Sequence, residues 1–170
     1  MGLVPEDRKL QGLMLQMSVK ENATLSVLPR VSRWGLLSAG AEKTLFDPAA
    51  QRLRLKPASP DLPVGKLSGG NQQKALLARA IFADPDILFL DDPARGIDVA
   101  AKEDIYRLIS ELAASGKSIL LASSELPELM RCADRILVLR EGRVTGMYRA
   151  SDATQEAIMA AATHSFAEAG

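Results

Sequence analysis

The chain has one cysteine, Cys132, in 170 residues. No internal disulfide can form, and the composition suits a reducing compartment. It carries no net charge, because Lys+Arg and Asp+Glu each total 21. Nothing in that overall balance favours nucleic acid or an anionic surface as a partner. The longest apolar runs are about six residues, far short of the roughly 20 that span a bilayer. Charges interrupt the opening run Val4-Pro5-Glu6-Asp7-Arg8-Lys9, so it does not read as a signal peptide. The chain is therefore expected to be soluble, or held at a membrane by another subunit. There is no internal repeat and no low-complexity segment. The most specific absence is a phosphate loop: the pattern G-x-x-x-x-G-K-[ST] occurs nowhere. Gly65-Lys66 comes nearest, but no glycine stands five residues earlier and Leu67 follows.

What is present is globular in character, with 47% apolar and 25% charged residues, and a length that fits one domain with a buried core. Two runs stand out. Leu67-Ser68-Gly69-Gly70-Asn71-Gln72-Gln73-Lys74 is a turn that opens into a helix. Glycines at a helix N-terminus let backbone N–H groups and a serine hydroxyl approach an anion. Thirteen residues later comes Ile87-Leu88-Phe89-Leu90-Asp91-Asp92-Pro93, a short apolar strand ending in two carboxylates. Carboxylates at the C-terminal end of a buried strand sit where α/β sheets bind ligands and metals. The pair points to phosphate on one surface and Mg²⁺ on another.

The pattern predicts these elements around the two runs. A helix over Met17–Leu28 starts at Ser18, with Glu21 completing a capping box, and Pro29 follows its end. A weak helix over part of Ala39–Arg54 is interrupted by Pro48. Pro57, Pro60 and Pro63 make 56–65 a loop. Ser68 caps a helix to about Ala83, with Leu76, Leu77, Ala80 and Ile81 on its inner face. Buried strands are expected at Ile87–Leu90 and Ser118–Ala122, and a third strand at Arg135–Leu139. Val99–Ala114 is an amphipathic helix, with Ile105, Leu108, Ile109 and Leu112 at i, i+3, i+4, i+7 and Gly116 past its end. A short helix covers Leu126–Cys132. Glu141-Gly142 is a hairpin turn to a partner strand Arg143–Tyr148. Asp152–Ala162 is a last helix before a frayed tail. Strand–helix alternation over 86–140 implies a parallel sheet with covering helices.

From Leu67 to about Arg149 the chain resembles the second half of an ATP-binding cassette (ABC) nucleotide-binding domain. The runs described are similar to its signature and Walker B motifs. With Val4–Lys9, the Asn-Gln-Gln ending of the signature and Arg95-Gly96-Ile97-Asp98-Val99, the likeness narrows. It narrows to the second, C-terminal cassette of monosaccharide importer ATPases of ribose, galactose, xylose and autoinducer-2 type. The resemblance implies a partial P-loop NTPase over residues 1–150. A helical signature subdomain would span about 18–83, the Walker B half of the core about 84–150, and a helix and tail 151–170. It implies a missing Walker A strand between Ser118–Ala122 and Arg135–Leu139. It implies ATP and Mg²⁺ as cofactors of an assembled site. The implied partners are permease subunits, another cassette and, indirectly, a periplasmic sugar-binding protein, but no nucleic acid. The implied location is the cytoplasmic face of the membrane, through the permease.

Residue by residue, the resemblance gives Ser68, Gly69 and Gly70 to the γ-phosphate of an ATP held by the opposite cassette, and Gln72 to its ribose. Asp91 would hold Mg²⁺ through water. Asp92 stands at the catalytic position, where a glutamate usually polarises the attacking water. Asp98 is the D-loop aspartate at the cassette interface, Glu6 falls at the Q-loop position, and Ser124 stands where a switch histidine would. Three departures weigh against hydrolysis by this chain alone: the missing phosphate loop, Ser124, and Asp92. An Asp carboxylate is held back by about 1.5 Å, one C–C bond, relative to Glu, which matters when a general base must lie within about 2.6–3.2 Å.

Two functions remain open on this reading. One is a transport ATPase component that supplies its signature in trans. The other is a non-hydrolysing, degenerate cassette or truncated fragment that acts only as an interaction module. An ABC protein of DNA repair or translation is disfavoured by the balanced charge and the Asn-Gln-Gln-Lys ending. Elsewhere, plain readings suffice. Cys132 packs as a small apolar residue, and His164 is solvated. Leu13, Met14 and Leu15 are core or interface, and Trp34 packs at an interface. Glu103, Asp104, Arg107 and Glu111 form a solvated helix face.

Overall fold

The computed structural model describes residues 1–55 and 60–163. Pro57 and His164 therefore lie outside the described residues. The chain divides into two compact units, Met1–Ala122 and Ser123–Gly170.

The first unit is built on a three-stranded parallel sheet in the order β1 (Gly2–Val4), β4 (Ile87–Asp91), β5 (Ser118–Ala122). The register aligns Val4 with Leu90, and Leu90 with Leu121. Leu88 and Leu90 of the central strand are fully buried, as a strand covered on both faces requires. The Gly2–Val4 strand has no counterpart in the expectations, because three residues are too few to show a period. β5 is not the buried strand expected at Ser118–Ala122: among the described residues it pairs on one side only, none of its residues is buried, and Leu120 is 61% exposed.

Between β1 and β4 lies a helical region. A single five-residue π-helical turn, Arg8–Gly12, is capped by the Asp7 carboxylate, which accepts from the N–H groups of Lys9 and Leu10. The predicted helix over Met17–Leu28 divides. α1 spans Val19–Thr24, with the Ser18–Glu21 capping box formed as expected, then a 3₁₀ turn, Leu25–Val27, leads into α2, Leu28–Val31. Pro29 does not end a helix. It sits in the first turn of α2, where its missing N–H costs nothing. A two-residue hairpin follows, β2 (Ser32–Arg33) and β3 (Leu36–Leu37). α3 (Ala39–Arg52) is continuous, with Pro48 inside it. The buried Asn22 holds the preceding loop by donating to the carbonyls of Met14 and Ser18 and accepting the Met14 N–H.

α4 (Gly69–Phe82) and α5 (Val99–Ala114) pack on the sheet side of this region. Leu76, Leu77 and Ala80 are buried as predicted, as are Ile105, Leu108, Ile109 and Leu112. Ile81 is only half-buried, and Phe82 takes the buried place beside it. Gly116, at φ 90°, turns the chain out of α5.

The second unit pairs β6 (Arg135–Arg140) with β7 (Arg143–Arg149) in an antiparallel hairpin. Its turn residues Glu141 and Gly142 have φ of 50° and 76°, the left-handed pair of a tight hairpin turn. β6 therefore does not extend the three-stranded parallel sheet; β7 is its one strand partner among the described residues. α6 (Leu126–Cys132) and α7 (Gln155–Thr163) complete the unit. Ile136, Val138 and Ile158 form its core, with Leu126, Met130 and Tyr148 packed against them.

Candidate functional site

The backbone at residues 67–70 turns sharply before α4. Ser68 occupies the N-cap position, yet its hydroxyl makes no cap bond to the helix backbone. It accepts instead from the Asn71 side-chain amide at 3.0 Å. The capping role predicted for Ser68 is thus corrected. A neighbouring amide competes for the oxygen, and the side chain stays exposed at the mouth of the turn.

Gly70 has an internal reason. A Cβ on Gly70 would lie 2.5 Å from the Cβ of Ala101 and 3.4 Å from Asp98 Oδ2. A Cβ on Gly69 would lie 2.8 Å from Arg8 Nη2 and 3.4 Å from the Gly96 carbonyl. Gly70 lets the start of α4 press against the start of α5, whereas at Gly69 the close neighbour is only the end of the flexible Arg8 side chain. Asp98 caps α5 by accepting the Ala101 N–H at 2.9 Å. Ser68, Gly69, Gly70 and Asp98, far apart in sequence, are thereby brought to one junction.

Gln72 does not face outward. It is 4% exposed, and its amide donates to the Leu67 carbonyl at 3.1 Å and accepts from Arg8 Nε at 3.4 Å. A ribose contact by this side chain does not fit that geometry: the amide is spent holding the turn. Arg8 also donates to the Arg95 carbonyl at 3.1 Å, so one guanidinium ties the π-helical turn, the signature helix and the loop after β4 together. Glu6, at the surface, pairs with the Arg95 side chain. Glu6, Asp7, Arg8, Lys9, Arg95 and Gly96 line an open cleft of about 520 Å³. The sequence reading missed Arg8 and Arg95. The signal available was their place inside runs already singled out.

Lys74, last residue of the signature run, is buried and pairs with Asp104 of α5 at 2.7 Å. Arg54 and Arg107 also reach that carboxylate. Asp104 is therefore no mere part of a solvated face. Burial pushes its pKa up, but the hydrogen bond and charge of Lys74, helped by the two arginines, outweigh it and hold the carboxyl below its ordinary value.

At the other end of the site, Asp91 closes β4 with an exposed side chain. No hydrogen bond or ion pair of that side chain occurs among the described residues. Asp92 follows at φ 43°, left-handed backbone that aspartate tolerates better than most residues. Its N–H donates to the Ala122 carbonyl, and its own carbonyl accepts the Arg95 N–H. Among the described residues no three metal-ligating side chains cluster. Mg²⁺ needs no such cage. It is commonly held by one or two carboxylates together with water and phosphate oxygens, and the exposed Asp91 carboxylate fits that demand. Ser124 is exposed in the loop after β5.

The family model for ABC transporters matches residues 1–95, more than half of the chain, and the chain belongs to that family. It is 52% identical over 160 residues to the ribose import ATP-binding protein RbsA 2 of Rubrobacter xylanophilus, covering 94% of this chain and 31% of that protein. It is 49% identical over 162 residues to the xylose import ATP-binding protein XylG of Ralstonia nicotianae, covering 95% and 32%. The chain thus spans about a third of the length of the curated relatives it matches. Its fold matches a bacterial ABC transporter cassette solved as a dimer, with TM-score 0.74 and 24% identity, covering 88% of this chain and 62% of that one. It also matches an inward-facing ABC transporter of metal-chelate type, with TM-score 0.75 and 20% identity, covering 94% and 62%. The fold is that of an ABC ATPase cassette in part: α/β, with a parallel sheet and covering helices.

Proposed function

We propose that this chain is the signature-bearing part of the C-terminal cassette of a monosaccharide importer ATPase. It presents Ser68 and the N–H groups of Gly69 and Gly70 to an ATP bound by a partner cassette. The observation that carries this reading is the junction at the start of α4. Ser68 is exposed there, with the Asn71 amide on its hydroxyl, while Gln72 is held inward by Arg8 and Asp98 caps α5 through the Ala101 N–H. A helix N-terminus so arranged attracts an anion. The roughly 50% identity to ribose and xylose import ATP-binding proteins supports the substrate class. Asp91 would hold Mg²⁺, and Asp92 would take the catalytic position. Permease subunits, a second cassette and a periplasmic sugar-binding protein are the partners this reading supplies. The cytoplasmic membrane face is its place. No helix among the described residues is long and apolar enough to cross a membrane.

The competing reading, a module that donates its signature and hydrolyses nothing, draws on the lack of a phosphate loop and on Ser124 and Asp92. Two measurements separate the readings. Calorimetry with Mg-ATP should show no micromolar binding by the chain alone, since these 170 residues hold no G-x-x-x-x-G-K-[ST] loop to cradle the β- and γ-phosphates. Paired with an intact first cassette, the wild-type chain should support ATP hydrolysis, and Ser68→Arg should abolish it. An unchanged rate in the Ser68→Arg pair would defeat the in-trans role. No stimulation by the wild-type chain would favour the inert module.

A further inference from the structure

The hairpin β2–β3 holds the chain's only tryptophan in an unusual place. Trp34 and Gly35 form the turn, at φ 55° and 80°, the two left-handed residues of a type I′ turn. Asn-Gly or Asp-Gly is the usual choice there. A bulky residue with left-handed backbone is a true outlier. Such strain is ordinarily offset by packing, but Trp34 is 92% exposed. Beside it Leu36 is 75% and Leu37 58% exposed. The fold thus holds a large apolar side chain at a disfavoured position and leaves it almost wholly uncovered by the described residues.

Along the hairpin's own stretch of sequence the charge has one sign. From Asn22 to Ala41 there is no aspartate or glutamate, and the charged residues are Arg30 and Arg33. Arg30 donates to the Phe82 carbonyl at 3.0 Å and lies near Asp84. Arg33 makes no ion pair among the described residues. The whole chain is neutral, so this local excess is a property of the tip. The tip thus exposes one tryptophan and two leucines next to an arginine with no ion pair among the described residues. It matches a flat interface that takes aromatic rings at headgroup depth and carries negative charge.

We propose that the Trp34 hairpin is a lipid-contacting wedge. Trp34, Leu36 and Leu37 enter the headgroup region of an anionic bilayer, and Arg33 meets the lipid phosphates. This goes beyond the nucleotide reading and rests on none of its residues, so either can fail without the other.

The test uses the whole chain with vesicles of phosphatidylglycerol or phosphatidylcholine. Trp34 is the only tryptophan, so emission reports on the hairpin alone. On anionic vesicles the emission should shift to the blue and be quenched by brominated acyl chains. Neutral vesicles and high salt should weaken both effects. Arg33→Glu should lower partitioning about tenfold. Trp34→Ser should abolish co-flotation yet leave the far-ultraviolet circular dichroism unchanged, because the ring supports nothing in the fold. Unshifted emission at millimolar lipid would overturn the proposal. So would co-flotation without quenching of Trp34, which would put the contact elsewhere, or equal shifts on neutral and anionic vesicles. A shift that appears only when a membrane protein is present in the vesicles would also overturn it, assigning the tip to a protein partner.

Discussion

The two motif ends of this molecule differ in how much of their sequence the fold itself consumes. At the start of α4, Gly70, Gln72 and Lys74 have internal duties: close helix approach, closure of the turn, and a buried ion pair. At the end of β4, Asp91 has none among the described residues. The missing side chain at Gly70 is thus explained by packing before any phosphate is invoked, and what is left over for a ligand is Ser68 and the backbone N–H groups of the turn. An exposed carboxylate at a strand end, without a partner, has no such internal explanation. The nucleotide reading of the signature turn rests on Ser68 and the direction of the helix rather than on its glycines.

The sharpest way to break this comparison is Gly70→Ala. The added methyl would sit 2.5 Å from the Ala101 Cβ, and overpacking of this kind costs about 1–3 kcal/mol. The urea midpoint should fall accordingly, and Ala101→Gly in the same chain should recover most of the loss. A silent Gly70→Ala would return the glycine to the ligand. For the same reason, Gly70→Asp is a poor probe of phosphate contact.

Of the same size is the effect expected at the Lys74–Asp104 pair. Asp104→Asn should lower stability by about 1.5–3 kcal/mol, the range for a hydrogen bond to a charged group. Its pH dependence has a definite sign. The folded pKa lies below the unfolded value, so the contribution is fully present above about pH 3.9. It is lost as pH falls through the depressed folded value. Denaturant titrations at pH 7 and pH 3 should show a smaller drop for Asp104→Asn than for the wild type. Equal drops would mean that Asp104 is solvated after all.

The smallest effect is expected at Asp91. Asp91→Asn should shift the urea midpoint by no more than the ±0.5 kcal/mol typical of surface changes. A loss above 1 kcal/mol would reveal an internal role and erase the contrast.

Much of the architecture was legible in the residues. α5 reads directly from its apolar period and from Gly116. The Ser18–Glu21 box, the β6–β7 turn at Glu141-Gly142 and the buried strand before Asp91 also follow from local chemistry. These features depend on neighbours within about one turn or one hairpin, so the sequence states them. The family, too, was legible, because its motifs are short and contiguous.

Other features were decided by residues that meet only in three dimensions. A three-residue strand at Gly2–Val4 exists because β4 offers it a partner 86 positions away. Gln72 turns inward because Arg8 waits for it, and Asp104 leaves the solvated face because Lys74 is buried against it. The left-handed Trp34 is set by the hairpin that it closes. Local propensity fixes what a segment can form. Which polar groups are used up inside, and which remain for a ligand, depends on long-range neighbours that no window of sequence contains.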